Sequence, residues 1–376
     1  MDKKYKPHMN IDPGAFIKEE LEIRNWRQED LREVLGISLK SVNQLIKNKQ
    51  SITVKTAKLL SKAFGQSPQY WISLDTNYRL RLSKYDKQEK RVHVLAKIYK
   101  YMPIQEMIRK GWIGEYKNPE ELHSLVCKFW QIKRLNFRFL DKVELPNLRK
   151  SEAFQEFNKF YAYAWFNMAK RCAKVYSADK YAKDEFRQLV SEYTNYTLQK
   201  TGPQKFISDL NCVGVKFLIL HHLQKTYIDG AAFFDKGNPV VVYTLRYNRI
   251  DNFWFTVAHE IAHILLHLKL KDDFSIDNLE LINTDREKEA NHFALEMLRD
   301  KEIKKYFRSF GKYISERRVK SCANDVRVSP AIVVGVLQHN GMLSRSNLNK
   351  LKEVVSDKIP QKYWVEKQLK KVRITV

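Results

Sequence analysis

The stretch FWFTVAHEIAHILLHL, residues 253–268, reads as one apolar helix into which three histidines and one glutamate are set. His259 and His263 stand four residues apart, so they lie one above the other on a single helix face. Imidazoles at that spacing reach one Zn2+ ion at about 2.0–2.1 Å each. Glu260 projects beside such an ion rather than onto it, where it can accept a proton from an activated water. The five-residue pattern alone is a weak signal, arising by chance in on the order of a few chains per hundred. A core helix with internally satisfied histidines is the competing reading, and a third ligand decides between the two.

DREKEANHFALEML, residues 285–298, supplies a candidate. Ala290, Phe293, Ala294, Met297 and Leu298 define an apolar stripe, and Glu289 flanks it. A carboxylate at the edge of a buried face completes a His2Glu ligand set with an open fourth position. Glu287, on the same helix, is the alternative carboxylate that spacing leaves open. His292 is another possible ligand, read in preference as a supporting or surface residue, and His267, one turn beyond His263, is read as a supporting or structural residue.

Upstream of this helix, VGVKFLIL (213–220), AAFF (231–234) and PVVVYTL (239–245) are short β-branched or aromatic runs. Asp229-Gly230 and Lys236-Gly237-Asn238 punctuate them, which predicts a small, largely antiparallel sheet. Asp251 is placed to cap the helix that follows. An oxyanion donor drawn from this region has His221, His222, Tyr243 and Tyr247 as candidates by residue type.

Residues 81–200 are mostly helical by period. FQEFNKFYAYAWFNMAKRCAKVY (154–176) is aromatic almost all round, which predicts a buried core helix rather than a base-stacking platform. Polar, charged RLSKYDKQEKR marks a joint near 80–90, and LPNLRKS a second near 145–151. The expected organisation is an N-terminal module over 1–80, a helical middle region over 81–200 and a final domain over 201–376. The fold class is thus mostly α with a small α+β domain.

The N-terminal module shows five short helices with sharp stops. Asp12-Pro13 caps the first, which buries Phe16, Ile17 and Leu21. Gly36 stops the second. Ser38 caps a third whose Val42, Leu45 and Ile46 turn inward, and Asn48 follows as a left-handed residue. Thr53 to Phe64 forms the fourth, ended by Gly65, and Ser67-Pro68 opens a fifth with Tyr70, Trp71 and Leu74 to bury. Two short helices around a glycine turn, the second polar outside, make a helix-turn-helix. Ser38 stands at the start of the recognition helix, and Lys40, Ser41, Asn43 and Gln44 then face base edges, with Gln28, Lys47 and Lys49 near phosphates.

The formal charge of +25 favours a polyanionic partner, nucleic acid most simply, although a lysine-rich solvated exterior reads equally well. The excess is spread along the chain rather than confined to its first eighty residues. Four scattered cysteines without a C-x-x-C pair fit reduced thiols. No apolar h-region follows the basic start, and no uncharged apolar run approaches the length of a membrane span, so a cytoplasmic setting is expected.

The stretch from Asp12 to Leu74, including its late SPQYWISL helix, resembles the HigA/XRE-type helix-turn-helix of bacterial antitoxins and regulators. Arg32 departs from that pattern, standing where the family usually has a small residue in helix contact. VVYTLRYNRIDNFWFTVAHEIAHILLHL followed by EKEANHFALEML is similar to the ImmA/IrrE zinc metallopeptidases, with RKGWIG and VSPAIVVGVLQHNGML (328–343) included more loosely. The resemblance implies a Zn2+ cofactor held by His259, His263 and Glu289, with Glu260 catalytic in an endopeptidase. Asn291 departs here, the family more often having an acidic residue. Implied partners are double-stranded operator DNA and a regulatory protein, either a cleaved repressor or a cognate toxin or antitoxin. A homodimer follows from two-fold operators. The competing class is a HigA-like antitoxin or transcriptional regulator, or the toxin of such a pair, whose zinc domain senses or binds rather than cuts.

Overall fold

A computed structural model of the chain describes residues 12–82, 87–141, 157–268, 284–308, 313–368 and 372–375. It divides into two compact units, Met1–His93 and Val94–Val376.

In the first unit the expected helices are α1 (Pro13–Ile23), α2 (Gln28–Leu35), α3 (Leu39–Ile46), α4 (Val54–Phe64) and α5 (Pro68–Leu82). Asp12, Ser38 and Thr53 each accept a hydrogen bond from the amide three residues on, satisfying a free N–H of the helix they open. Gly36 and Gly65 end α2 and α4 in the left-handed conformation, and Asn48 follows α3 with a φ of 57°. Ile17, Leu31, Val42, Leu60 and Trp71 close a common core. Each such buried side chain contributes about 1.5–3 kcal/mol. Arg32 is exposed on α2 and stands clear of that core. Tyr70 and Leu74, expected to be buried, are only partly covered, because Trp71 takes the inner position on α5.

Beyond α6 (Lys87–Tyr101), the second unit continues with α7 (Ile104–Arg109), α8 (Pro119–Trp130), α9 (Arg138–Asp141), α10 (Lys159–Ala173), α11 (Lys183–Ser191), α12 (Tyr193–Thr197) and α13 (Gly202–Cys212). Strands β1 (Lys216–Ile219), β2 (Gly230–Asp235) and β3 (Asn238–Tyr243) follow, then α14 (Ile250–Ala262) and a π-helical turn over His263–His267. The remaining helices are α15 (Thr284–Met297), α16 (Asp300–Arg308), α17 (Glu316–Val326) and α18 (Pro330–His339). The expected joint near 145–151 lies outside the described residues.

The sheet has the order β1-β3-β2, with β3 parallel to β1 and antiparallel to β2. It is therefore mixed rather than largely antiparallel. The tight turn at Lys236-Gly237 forces β2 and β3 into a hairpin, while the longer link over 220–229 lets the chain skip the central position that β3 then fills. Side chains alternate between two cores. Phe217, Ile219, Val241 and Tyr243 join one with Phe253, Val257 and Ile261 of α14. Leu218, Val240 and Val242 join the other with Trp112, Leu125, Phe129, Trp165 and Met168. The aromatic helix α10 is accordingly core, with Tyr163, Trp165 and Phe166 buried. Of the helices in 81–200, those up to α10 cover one face of the sheet, while α11 and α12 place Phe186, Val190, Tyr193 and Tyr196 in the core of α14. Near the C-terminus, Ile374 joins the same core and bridges Ile113.

Candidate metal centre

Helix α14 turns Phe253, Trp254, Val257 and Ile261 into the core beneath the sheet. That phase leaves His259 and His263 on the side facing α15. Arg249, not Asp251, occupies the N-cap of α14. Asp251 sits in the first turn, its carboxylate drawn to the buried Lys352 Nζ at 2.7 Å.

The Nε2 atoms of His259 and His263 lie 3.0 Å apart. Glu287 faces both, with Oε2 at 3.3 Å from His259 Nε2 and Oε1 at 3.2 Å from His263 Nε2. Among the described residues these three form the cluster able to hold a metal ion. Glu289, expected as the third ligand, lies elsewhere: its carboxylate accepts a 3.0 Å hydrogen bond from His267 Nε2, and its side chain is 65% exposed. Helical phase explains the correction. At 100° per residue, positions 287 and 289 differ by roughly 200°. Glu287 is in phase with Ala290, Ala294 and Leu298, the residues of α15 that are buried. The flanking stripe read from sequence was too broad, since Phe293 and Met297 are only partly buried. The signal that finds Glu287 is the pair of alanines three and seven residues on, which mark the closest approach of α15 to α14. His292 faces Glu296 at 3.4 Å and is not in the cluster.

The donor set suits a dication. Two imidazole nitrogens and two carboxylate oxygens converge on one point, and His259 Nδ1 is buried with no hydrogen-bond partner among the described residues. Burial pushes the Glu287 carboxyl up, but hydrogen bonds from His259 and His263 outweigh it and hold the group well below the usual carboxylate range. Burial pulls His263 down. It pulls His259 down as well, yet the carboxylates of Glu287 and Glu260 together raise that residue.

Glu260 is 5% exposed and pushed up to about 8 by burial, reinforced by Glu287 and Asp229 and opposed by His259. Gly230, the first residue of β2, lies against it. A Cβ there would stand 2.7 Å from Glu260 Oε1 and 2.8 Å from Thr256 Cγ2. Of the oxyanion candidates, Tyr243 donates its hydroxyl to the Tyr247 carbonyl at 2.9 Å, and His221 Nδ1 pairs with Glu366 Oε1 at 2.6 Å. His222 is half-buried, and Tyr247 is exposed.

On the first unit, Val42, Leu45 and Ile46 are buried, so the rest of α3 faces outward. Ser38, Lys40, Lys47 and Lys49 are exposed, and Gln28, Ser41, Asn43 and Gln44 half-buried. Ser38 Oγ accepts from the Ser41 amide at 3.1 Å, and Asn43 Nδ2 donates to the Leu39 carbonyl at 3.2 Å.

A helix-turn-helix module and a metallopeptidase-type domain thus share one chain. Residues 17–71 match the helix-turn-helix family, and residues 214–335 match the M78 peptidase family described as the IrrE N-terminal-like domain. Virulence-associated protein I of Dichelobacter nodosus is 32% identical over 79 residues, covering 21% of this chain and 73% of that protein. Virulence-associated protein A' of the same organism is 32% identical over 78 residues, 20% of this chain and 64% of that protein. A Haemophilus influenzae protein named as an uncharacterized HTH-type transcriptional regulator is 29% identical over 68 residues, 18% and 64% of the respective chains. The chain belongs to the XRE-type helix-turn-helix regulators that carry an IrrE/ImmA-like domain. No helix among the described residues is long and apolar enough to cross a membrane.

Proposed function

We propose that the second unit is a zinc-dependent endopeptidase that cleaves a regulatory protein, and that the first unit holds the chain at operator DNA, in a cytoplasmic setting and as a homodimer. The observation that carries this reading is the convergence of His259, His263 and Glu287 beside a buried Glu260. Zn2+ at this site supplies Lewis acidity, which makes water a nucleophile near neutral pH and polarises a carbonyl. Glu260 takes the proton of the attacking water and delivers it to the leaving amine. Its burial, which raises its proton affinity, favours holding the proton between the two transfers. β2 is an edge strand of the described sheet and begins at Gly230, against Glu260. An extended substrate pairing along β2 brings its backbone to the general base without a side chain in the way.

The substrate in this reading is a repressor or antitoxin-type protein, such as the product of an adjacent gene. The test is incubation of that product with the purified zinc-loaded chain. Wild type is expected to cut it, with Glu260→Gln binding zinc normally and cutting nothing. Operator binding and full biological activity retained by Glu260→Gln would instead favour a regulator whose metal domain senses or docks.

A further inference from the structure

His267 is 7% exposed in its side chain, and its Nδ1 lies 3.0 Å from Nδ1 of His263. The contact arises because α14 widens after Ala262 into a π-helical turn, closed by a 3.0 Å hydrogen bond from the Leu268 amide to the His263 carbonyl. Such a turn is rare, re-aims side chains and occurs frequently at functional sites. The ring centroids of His263 and His267 stand 5.1 Å apart, tilted rather than stacked, as a nitrogen-to-nitrogen hydrogen bond requires. On the far side, His267 Nε2 meets Glu289 Oε2 at 3.0 Å.

The protons of this chain follow from the ends. A carboxylate only accepts, so His267 carries its proton on Nε2 and donates it to Glu289. Its Nδ1 is then a bare acceptor, and His263 must donate from Nδ1. A metal on His263 Nε2, taking the place of its contact with Glu287, requires this same tautomer, with the one ring proton of His263 on Nδ1. We propose that His267 and Glu289 are positioning residues that fix His263 in its ligating tautomer and orientation, a carboxylate–histidine–histidine support for the metal. This rests on the metal-centre reading above. It also gives Glu289 a role at the end of the support rather than in the ligand set.

Zinc affinity by chelator competition tests it, with folding followed by thermal melting of the zinc-free chain. His267→Phe keeps the ring but removes the acceptor, and is expected to weaken zinc binding about 10–100-fold. His267→Asn restores an acceptor oxygen near the Nδ1 position and should recover most of that loss, which a merely structural role would not produce. In 15N-histidine spectra of the zinc-loaded wild type, His267 should appear as the Nε2–H tautomer. Wild-type affinity in His267→Phe, no recovery in His267→Asn, or an Nδ1–H tautomer of His267 would each overturn the proposal. Failure of wild type itself to bind zinc would overturn the metal centre instead.

Discussion

Glu287 reaches across from α15 to contact two histidines of α14 and the turn after it, at 3.2 Å from His263 and 3.3 Å from His259, while Glu289, two residues on, points to His267. The two carboxylates therefore have separable effects. Glu287→Gln removes a charged donor from the cluster and should abolish stoichiometric zinc binding at micromolar metal, as His263→Ala should. Glu289→Gln should keep stoichiometric binding, with an affinity loss of at most about tenfold. Zinc content after gel filtration checks both, and a metal-free Glu289→Gln protein would restore that residue to the ligand set. Removing the metal with a chelator should abolish any cleavage, and added zinc should restore it.

Gly230 permits the buried position of Glu260, and a single methyl tests that. In Gly230→Ala the new Cβ meets Glu260 Oε1 at 2.7 Å and Thr256 Cγ2 at 2.8 Å, so the carboxylate must move. Displacing a general base by about 1 Å costs on the order of 100-fold in turnover. His259, His263 and Glu287, the proposed ligands, are untouched, so zinc affinity should change little. Equal losses of zinc and turnover would mean that the substitution disturbs the whole site.

The placing of His259 and His263 together on one face of α14 was legible because they sit within five residues, and so were the caps and glycine stops of the first unit, where each signal is local. Two features were hidden for a physical reason. The parallel pairing of β1 with β3 depends on which slot the 220–229 link leaves open, and no local pattern encodes that. The choice between Glu287 and Glu289 depends on the helical phase set by Ala290 and Ala294, small residues that a hydrophobic stripe underweights beside Phe293. Likewise, the helices of 94–173 carry no chemistry of their own, yet they cover the sheet face opposite α14.

The Asp251–Lys352 pair ties the first turn of α14 to the C-terminal part of the chain. Both side chains are nearly inaccessible, 8% and 2% exposed, and Lys352 Nζ also donates to Gln338 Oε1 at 2.6 Å. Lys352→Met leaves the buried Asp251 carboxylate with Arg249 alone, at 3.3 Å, and should cost up to about 3 kcal/mol. Adding Asp251→Asn removes that charge and should recover most of the loss. Urea midpoints for the two variants check this, and a double variant no better than the single one would show that packing rather than charge dominates.

Acid sensitivity should report on Glu366. Burial pushes its carboxyl up, but His221 and Lys110 outweigh that and hold it below its ordinary value. An unfolded chain then binds more protons than the folded one as pH falls below about 4.3. Stability from this group is fully present above that pH and is lost as pH falls through the folded value. His221 and Glu366 are 38% and 30% exposed, so solvent screening limits the effect to about 1 kcal/mol. Glu366→Gln should lower stability near neutrality by about that amount and leave it unchanged in strong acid, so that the acid limb flattens.

The outer face of α3 separates three kinds of contact that binding measurements can distinguish. Lys47 is exposed just past the end of the helix, where a phosphate contact carries no sequence information. Lys47→Ala should weaken binding to any duplex alike and lower the salt slope by about 1. Gln44, half-buried beside Leu45, is the proposed base-edge contact, for which Gln44→Ala should cost about 1–3 kcal/mol on the preferred operator and little elsewhere. Ser38 is already committed to the Ser41 amide, so Ser38→Ala should act through stability, by about 1 kcal/mol, without changing base preference. Arg32, exposed on α2, makes no demand on the helix contact, and Arg32→Ala should shift stability by less than about 0.5 kcal/mol. Titration of the four variants against operator and scrambled DNA at two salt concentrations resolves these cases. Unchanged affinity and salt slope in both Lys47→Ala and Gln44→Ala would move DNA recognition off this helix.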